Sequence, residues 1–397
     1  MKILLLAPHP FYQERGSPIA VNHLLQVLSE RGDVIDVLVY HEGEDVQLPN
    51  VSLHRIPALP FIQQVPPGFS WKKLVCDSLM FFSAVRLVFR GRYELVYAIE
   101  ESVFISLLLK WVVKIPYVYD MDSRLSEQLC EEYRVFAFFR PILRFLERLA
   151  MRNARAIVPV CDGLLTVKEL QSMKKVVLLR DVSLLADDNN SSLGVEQTDL
   201  RAELGFESAC LLMYVGNLRP YQGIDLLLDG FALVAQSRPH VHLAIIGGAA
   251  LDIRKYIDKA NRLRIGRRAH FIGPRPMIDL KQYLAQADIL VSPRIKGNNT
   301  PMKLYSYLHS GTASLLTDLP THSQVASGNI ALLVKPSPEA LSEGMLKLID
   351  DENFRVSLGA AAKRFIQRNH SFKAFANTAN ELFDWLCTEV SGDSARL

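Results

Sequence analysis

The chain has 397 residues, 49% of them hydrophobic, and its 45 basic and 42 acidic side chains leave a formal net charge of +3. That length exceeds one simple core and suits two domains of about 150 to 200 residues each, while the near-neutral charge and the lack of an aromatic and basic platform argue against a nucleic-acid partner. Cys76, Cys130, Cys161, Cys210 and Cys387 are scattered singly, so they form neither a zinc pair nor a disulfide framework and fit reduced, cytoplasmic thiols.

In chain order, Lys2 precedes a short apolar run that ends at Pro8, which reads as a first buried strand rather than a signal peptide or a spanning helix. After a loop over 8–18, residues Ile19, Leu24, Leu25, Val27 and Leu28 recur at helical spacing, Gly32 ends the helix, and 34–40 forms a second strand. The segment 71–90 mixes Lys72, Lys73, Arg86 and Arg90 with large apolar residues. ELVYAI is a strand followed by Glu100 and Glu101, and IPYVYD is a strand ending in Asp120-Met121-Asp122, so both carboxylate pairs project from strand ends. Arg140, Arg144, Arg148, Arg152 and Arg155 form a basic helical stripe beside Phe136, Phe138, Ile142 and Phe145. Basic amphipathic helices over 140–155 and 71–90 are expected to touch an anionic membrane surface peripherally. The ordinary alternative is a solvated arginine face on a helix packed against the sheet.

The polar stretch 187–198, DDNNSSLGVEQT, can bury little and reads as a linker or loop between a first domain over 1–186 and a second over 199–371. In the second domain, 211–230 reads as strand, glycine turn, polar loop and helix start, a cradle able to hold an anion near Gly216 or Gly223. Segments 241–248, 270–273, 287–294 and 301–318 repeat the strand-to-helix alternation of a parallel α/β sheet. Ligands of such sheets bind at the carboxyl ends of the strands, where these loops gather.

This order of motifs resembles the family-four glycosyltransferases of GT-B fold over nearly the whole chain. The resemblance implies an α/β architecture of two facing Rossmann-like domains with parallel sheets and a cleft between them. It also implies an acceptor domain first, a nucleotide-sugar domain second, and a helix within 372–397 that crosses back to the first. The family usually has arginine and lysine directed at the diphosphate where this chain has Asn217 and Gln222, and two glutamates eight positions apart where it has Asn298 and Ser306. Each charge-assisted hydrogen bond lost in this way is worth roughly 1.5 to 3 kcal/mol unless other cations replace it. Arg219, Arg294, Lys296 and Lys303 are the replacement candidates.

The donor-side candidates are therefore those four cations with Gly216, Asn217, Gln222, Gly223, Gly247 and Ile272 from the first loops, and Asn298, Asn299, Thr300, Pro301 and Ser306 from the last. On the acceptor side, His9, Glu100, Glu101 and Asp122 are the catalytic candidates, and Arg15, Gly16, Ser17 and Asp120 are expected to line the loops. Asp120-Met121-Asp122 also matches the metal motif of the other major glycosyltransferase fold. The preferred reading is that one aspartate caps a helix starting near Ser123, with no metal. His309 and His322 read as helix-surface or turn residues. The expected reaction is retaining transfer from a nucleotide-diphosphate sugar, UDP-linked ahead of GDP-linked, to a hydroxyl on a lipid or cell-surface glycan precursor, without a cofactor, in the cytoplasm or on the inner face of its membrane. The alternatives are a catalytically degenerate GT-B partner subunit and another GT-B activity such as a phosphorylase or epimerase.

Overall fold

The computed structural model describes residues 1–14, 16–66, 68–185, 199–206 and 209–394. The chain divides into two compact units, one holding Met1–Arg180 together with the C-terminal helix Phe372–Ser394, the other holding Asp181–Ser371. The expected linker over 187–198 lies outside the described residues, as does Arg15. On the described side of that stretch, Leu184 donates its N–H to Ser306 Oγ at 3.0 Å, so the second unit begins before the polar segment.

The first unit contains β1 (Lys2–Ala7), β2 (Val34–Val39), β3 (Val51–Arg55), β4 (Leu95–Ile99), β5 (Tyr117–Met121) and β6 (Ala156–Pro159) in the order β3-β2-β1-β4-β5-β6. All five pairings are parallel. The second contains β7 (Cys210–Val215), β8 (Val241–Ile246), β9 (Ala269–Gly273), β10 (Ile289–Ser292), β11 (Ala313–Thr317) and β12 (Leu332–Val334), ordered β12-β11-β10-β7-β8-β9 and again parallel. Each unit is thus a Rossmann-like doubly wound sheet, whose order reverses beside β1 in one and β7 in the other. The central strands are apolar throughout because helices cover both faces, and Leu4, Leu5, Leu6, Leu212 and Met213 are fully buried.

The helix Gly16–Glu30 buries Ile19, Leu24, Leu25 and Leu28, and Gly32, left-handed at φ 80°, ends it. Helix Phe372–Ser394 is part of the first unit: Phe383 stacks on Tyr97 at 5.8 Å, and Arg31 reaches Asp384 at 2.8 Å. Three strands escaped the sequence pattern, β3, β6 and β12. All three are edge strands, and β6 and β12 are only four and three residues long, too short for a period to show.

Gly223 links β7's loop to the helix Ile224–Ser237 at φ 75°, and a Cβ there would lie 1.9 Å from the Pro293 carbonyl oxygen. Gly205 has the same φ with open space around it. Gly205→Ala is expected to lose about 1 kcal/mol of unfolding free energy from backbone strain alone. Gly223→Ala is expected to lose at least about twice that, because the loop after β10 must also shift; chemical denaturation of the two variants measures the difference.

Candidate functional site

In the second unit, a cavity of about 550 Å³ opens where β7, β8 and β9 end, lined among others by Gly216, Asn217, Arg219, Gly247, Asp252 and Arg275. Its floor depends on backbone close approach. Gly247 has φ 107°, and a Cβ there would stand 2.4 Å from Gly216 O. The glycine amides themselves are committed to the backbone: Gly216 N–H donates to Ile246 O, Gly247 N–H to Gly273 O and Gly223 N–H to Pro220 O. The glycines therefore shape the cavity rather than supply its anion donors, which corrects the simplest form of the cradle. Ile272 packs into the core beside Leu211 and Met213 and does not line the cavity.

Besides Arg219 and Arg275 of the lining, a further cation reaches Gly216 from outside it. Lys303, in the first turn of the helix Met302–Ser310, sends Nζ to within 3.0 Å of Gln222 Oε1 and 3.9 Å of the Tyr214 ring centre. A Cβ at Gly216 would be 3.2 Å from that ammonium, so the cavity and the lysine meet at this glycine. Among the described residues no carboxylate pairs with Lys303. Burial and the like charge of Arg294 hold its pKa well below the usual lysine value. Arg294 organises its own loop: Nε donates to Lys296 O at 2.8 Å and Nη2 to Asn299 Oδ1 at 3.0 Å, while the guanidinium lies 5.3 Å from the Tyr221 ring centre.

The rest of that loop is equally engaged. Asn299 O accepts from Thr321 Oγ1 at 2.6 Å and Asn298 O from Gln324 at 3.0 Å. Lys296 and the Asn298 side chain are exposed, and Pro301 precedes the helix Met302–Ser310. Thr300 Oγ1 is buried with no hydrogen-bond partner among the described residues. Ser306, at the expected ribose position, is fully buried and anchors Leu184, so its hydroxyl is a fold contact. His322 is also a core residue: Nδ1 meets Thr317 O at 2.8 Å and Nε2 meets Ser292 Oγ at 3.0 Å, and burial pushes its pKa down to about 4. Asn217 holds the turn by accepting from the Arg219 N–H at 3.2 Å, and the Arg219 side chain is exposed.

In the first unit, the strand ends gather carboxylates instead. Glu100, left-handed at φ 48°, and Glu101 follow β4, and Lys73 Nζ lies 2.6 Å from Glu101 Oε1 and 3.9 Å from Glu100 Oε2. Asp77, one turn after Lys73, accepts from the Tyr40 hydroxyl. Ser17 Oγ donates to Asp122 Oδ2 at 2.6 Å, and Tyr97 OH donates to Asp120 Oδ2 at 3.0 Å. Neither aspartate caps the next helix, Leu125–Glu132, which starts at Arg124 without a side-chain cap, so the capping reading is corrected. Burial raises the pKa of Glu101, Asp122 and Asp77; Lys73 pulls each of them down, whereas Glu100 pushes each of them up. His9 is enclosed at the end of β1 with Nδ1 3.1 Å from Pro10 O, and Gly16 opens the helix Gly16–Glu30 with free space beside its Cα. Among the described residues no group of three or more His, Cys, Asp or Glu side chains is arranged to hold a metal ion.

Lys73, Asp77, Tyr40 and Tyr214 were not foreseen. The signal for two of them was present: Lys73, Cys76, Asp77, Met80 and Ala84 follow one helical face, and that face is the buried one. A cation and an acid on a core-facing stripe imply a buried polar partner.

Carboxyls whose pKa is raised on folding bind protons that the unfolded chain has released, so their contribution to stability declines as pH rises from the ordinary carboxylate range through the raised values. Glu101→Gln is expected to flatten that decline. Lys73→Met leaves Glu101 without its cation and should cost about 2 to 3 kcal/mol at pH 8 and less at pH 5, where Glu101 is protonated; urea unfolding at the two pH values distinguishes these outcomes.

Comparison with known proteins bears on the two units differently. The family model "Glycosyl transferases group 1" matches residues 196–365. The D-inositol 3-phosphate glycosyltransferase of Corynebacterium efficiens is 28% identical over 193 residues, which is 46% of this chain and 45% of that one, so the chain spans about half the length of the curated relatives it matches. Among solved structures, sucrose-phosphate synthase from Thermosynechococcus elongatus superposes with a TM-score of 0.78 at 16% identity, covering 98% of this chain and 99% of that one. Anabaena HepE in complex with UDP gives 0.73 at 16% identity, covering 97% and 100%. The chain has the GT-B fold, and its residues 196–365 match the group 1 glycosyl transferase model.

Proposed function

We propose that this chain is a retaining glycosyltransferase that moves a sugar from a nucleotide-diphosphate donor, UDP-linked ahead of GDP-linked, to an acceptor hydroxyl on a lipid or cell-surface glycan precursor. The observation that carries the reading is the junction at Gly216, where a cavity large enough for a nucleoside abuts an enclosed lysine with no carboxylate partner among the described residues. A buried cation is stable only with an opposite charge, and a diphosphate brings it. As the bond from anomeric carbon to phosphate oxygen breaks, negative charge grows on the leaving diphosphate, and a fixed cation there lowers the barrier. No cofactor is needed for that step. The structurally similar Anabaena HepE is known in complex with UDP and with UDP-glucose, which supports the choice of nucleotide.

For the acceptor, Asp122 and Glu101 are the proposed hydroxyl-binding groups. Both have raised affinity for protons, which suits a carboxylate that takes a hydrogen bond from an alcohol near neutral pH. A lipid acceptor is supported by the outer surface of the same unit. In the helix Arg140–Asn153 the acid points inward, Glu147 being 1% exposed, while Ile142, Phe145 and Leu146 face out beside Arg140 and Arg148. Phe138 is 86% exposed, and Phe82, Phe89, Trp111 and Val112 extend the apolar surface over the helices Trp71–Arg90 and Ser102–Val113. The only acids on these three helices, Asp77 and Glu147, are bonded to Tyr40 and Ser126, so the exposed charge is wholly basic. Arg155 lies beyond the helix, 3.4 Å from Glu389, and leaves the stripe. No described helix is long and apolar enough to cross a membrane, so the proposed contact is peripheral.

Incubation with UDP- and GDP-sugars should give slow sugar release from one nucleotide series. Asp122→Asn should reduce turnover about a hundredfold or more with little change in donor affinity; equal turnover would remove Asp122 from the chemistry, and no turnover in either series would favour a non-catalytic partner subunit. Separately, sedimentation with anionic vesicles at low salt should deplete the wild type and spare Phe138→Asp/Phe145→Asp. Equal recovery of both proteins would remove the membrane contact.

A further inference from the structure

Lys303 occupies an unusual setting for a lysine. Lys259 is 3.0 Å from Asp225 and 2.9 Å from Asp229, and Lys73 is 2.6 Å from Glu101, so these enclosed ammonium groups have their anions. Lys303 instead has an amide oxygen, Gln222 Oε1, at 3.0 Å and the Tyr214 ring face at 3.9 Å. The titratable groups that face it from neighbouring elements are Tyr214 on β7, Arg294 after β10 and His322 in the helix Pro320–Ser323. His322 is neutral in this core, and Arg294 repels an ammonium. None of them supplies negative charge. Enclosure and Arg294 together favour the free amine, which can still donate an N–H to Gln222.

We propose that Lys303 is the diphosphate ligand of this site and becomes charged only as the donor enters, taking its proton from solvent. This rests on the donor reading above and adds to it how the site obtains its charge. The step balances simply. The lone pair of Nζ accepts one proton from a buffer acid or hydronium, no bond of the donor breaks, and the bound complex carries one more positive charge than the free protein. Gln222 is then a positioning residue: its oxygen holds Nζ beside Gly216 in either protonation state, which a second lysine at that place would not do. Because the free protein has to gain a proton in order to bind, donor affinity falls as pH rises between the pKa of the free site and that of the complex, by up to about tenfold per pH unit.

The test is titration calorimetry of the full chain with UDP-glucose and with GDP-mannose, in two buffers of different ionisation enthalpy, between about pH 7 and 8.5 where the diphosphate diester itself does not titrate. Wild type is expected to take up close to one proton per donor bound. Lys303→Arg, whose side chain is always charged, is expected to bind with no proton uptake and a flat pH profile. Gln222→Leu should weaken binding and retain the uptake. Donor binding by wild type with no proton exchange, or uptake that persists in Lys303→Arg, overturns the proposal while leaving the donor site standing. No binding of either donor by wild type removes the donor reading and this inference with it.

Discussion

Backbone contact without side chains governs the second unit. β7, β8 and β10 end so close together that a Cβ at Gly247 would lie 2.4 Å from Gly216 O and one at Gly223 1.9 Å from Pro293 O. Only glycine fits such contacts with positive φ. The close approach has two results. It gives the cavity walls that side chains do not fill, and it leaves room beside Gly216 for an ammonium brought from a different helix. Remove the approach and Lys303 has no enclosed place to go.

The two units share one topology yet present opposite chemistry at the carboxyl ends of their strands. In the second, Lys303 and Arg294 stand near the ends of β7 and β10. In the first, Glu100, Glu101, Asp120 and Asp122 stand at the ends of β4 and β5 around a single lysine. A Rossmann-like sheet fixes where ligands can bind and leaves their charge to the loops. Strand ends rich in acid suit a hydroxyl that must lose a proton, and strand ends rich in cations suit a diphosphate that must keep its charge.

The sequence made the sheets legible wherever strands are buried on both faces, because Leu4 to Leu6 or Leu211 to Met213 have no alternative partner than a covered sheet. Edge strands such as VSLHR and LLV carry no such signature. In the site, the glycines were legible as turns, but their purpose was not: spacing cannot reveal that Gly216 N–H is spent on Ile246 O. Lys303 was readable as a nearby cation, whereas its pairing with Gln222 crosses 81 positions and depends on tertiary packing. Ser306 shows the opposite limit. Its position matched a ligand site by count, yet its hydroxyl holds Leu184.

Helix Arg140–Asn153 shows why amphipathic pattern alone does not assign a partner. Arginines and large apolar residues alternate in it so that either face could turn inward, and periodicity is silent on the choice. The buried acid decides. Glu147 sits inside because Ser126 donates to it at 2.6 Å and Arg124 lies 3.8 Å away, contacts a carboxylate must have when it leaves water. With Glu147 pinned, the rotation of the helix is fixed, and Ile142 and Phe145 are carried outward whatever their hydropathy. Exposing them costs about 1.5 to 3 kcal/mol each relative to burial, a cost that a lipid surface would recover and water would not. The outward phenylalanine is therefore a consequence of an internal polar network, and that network also keeps the helix's own acid out of its exposed face.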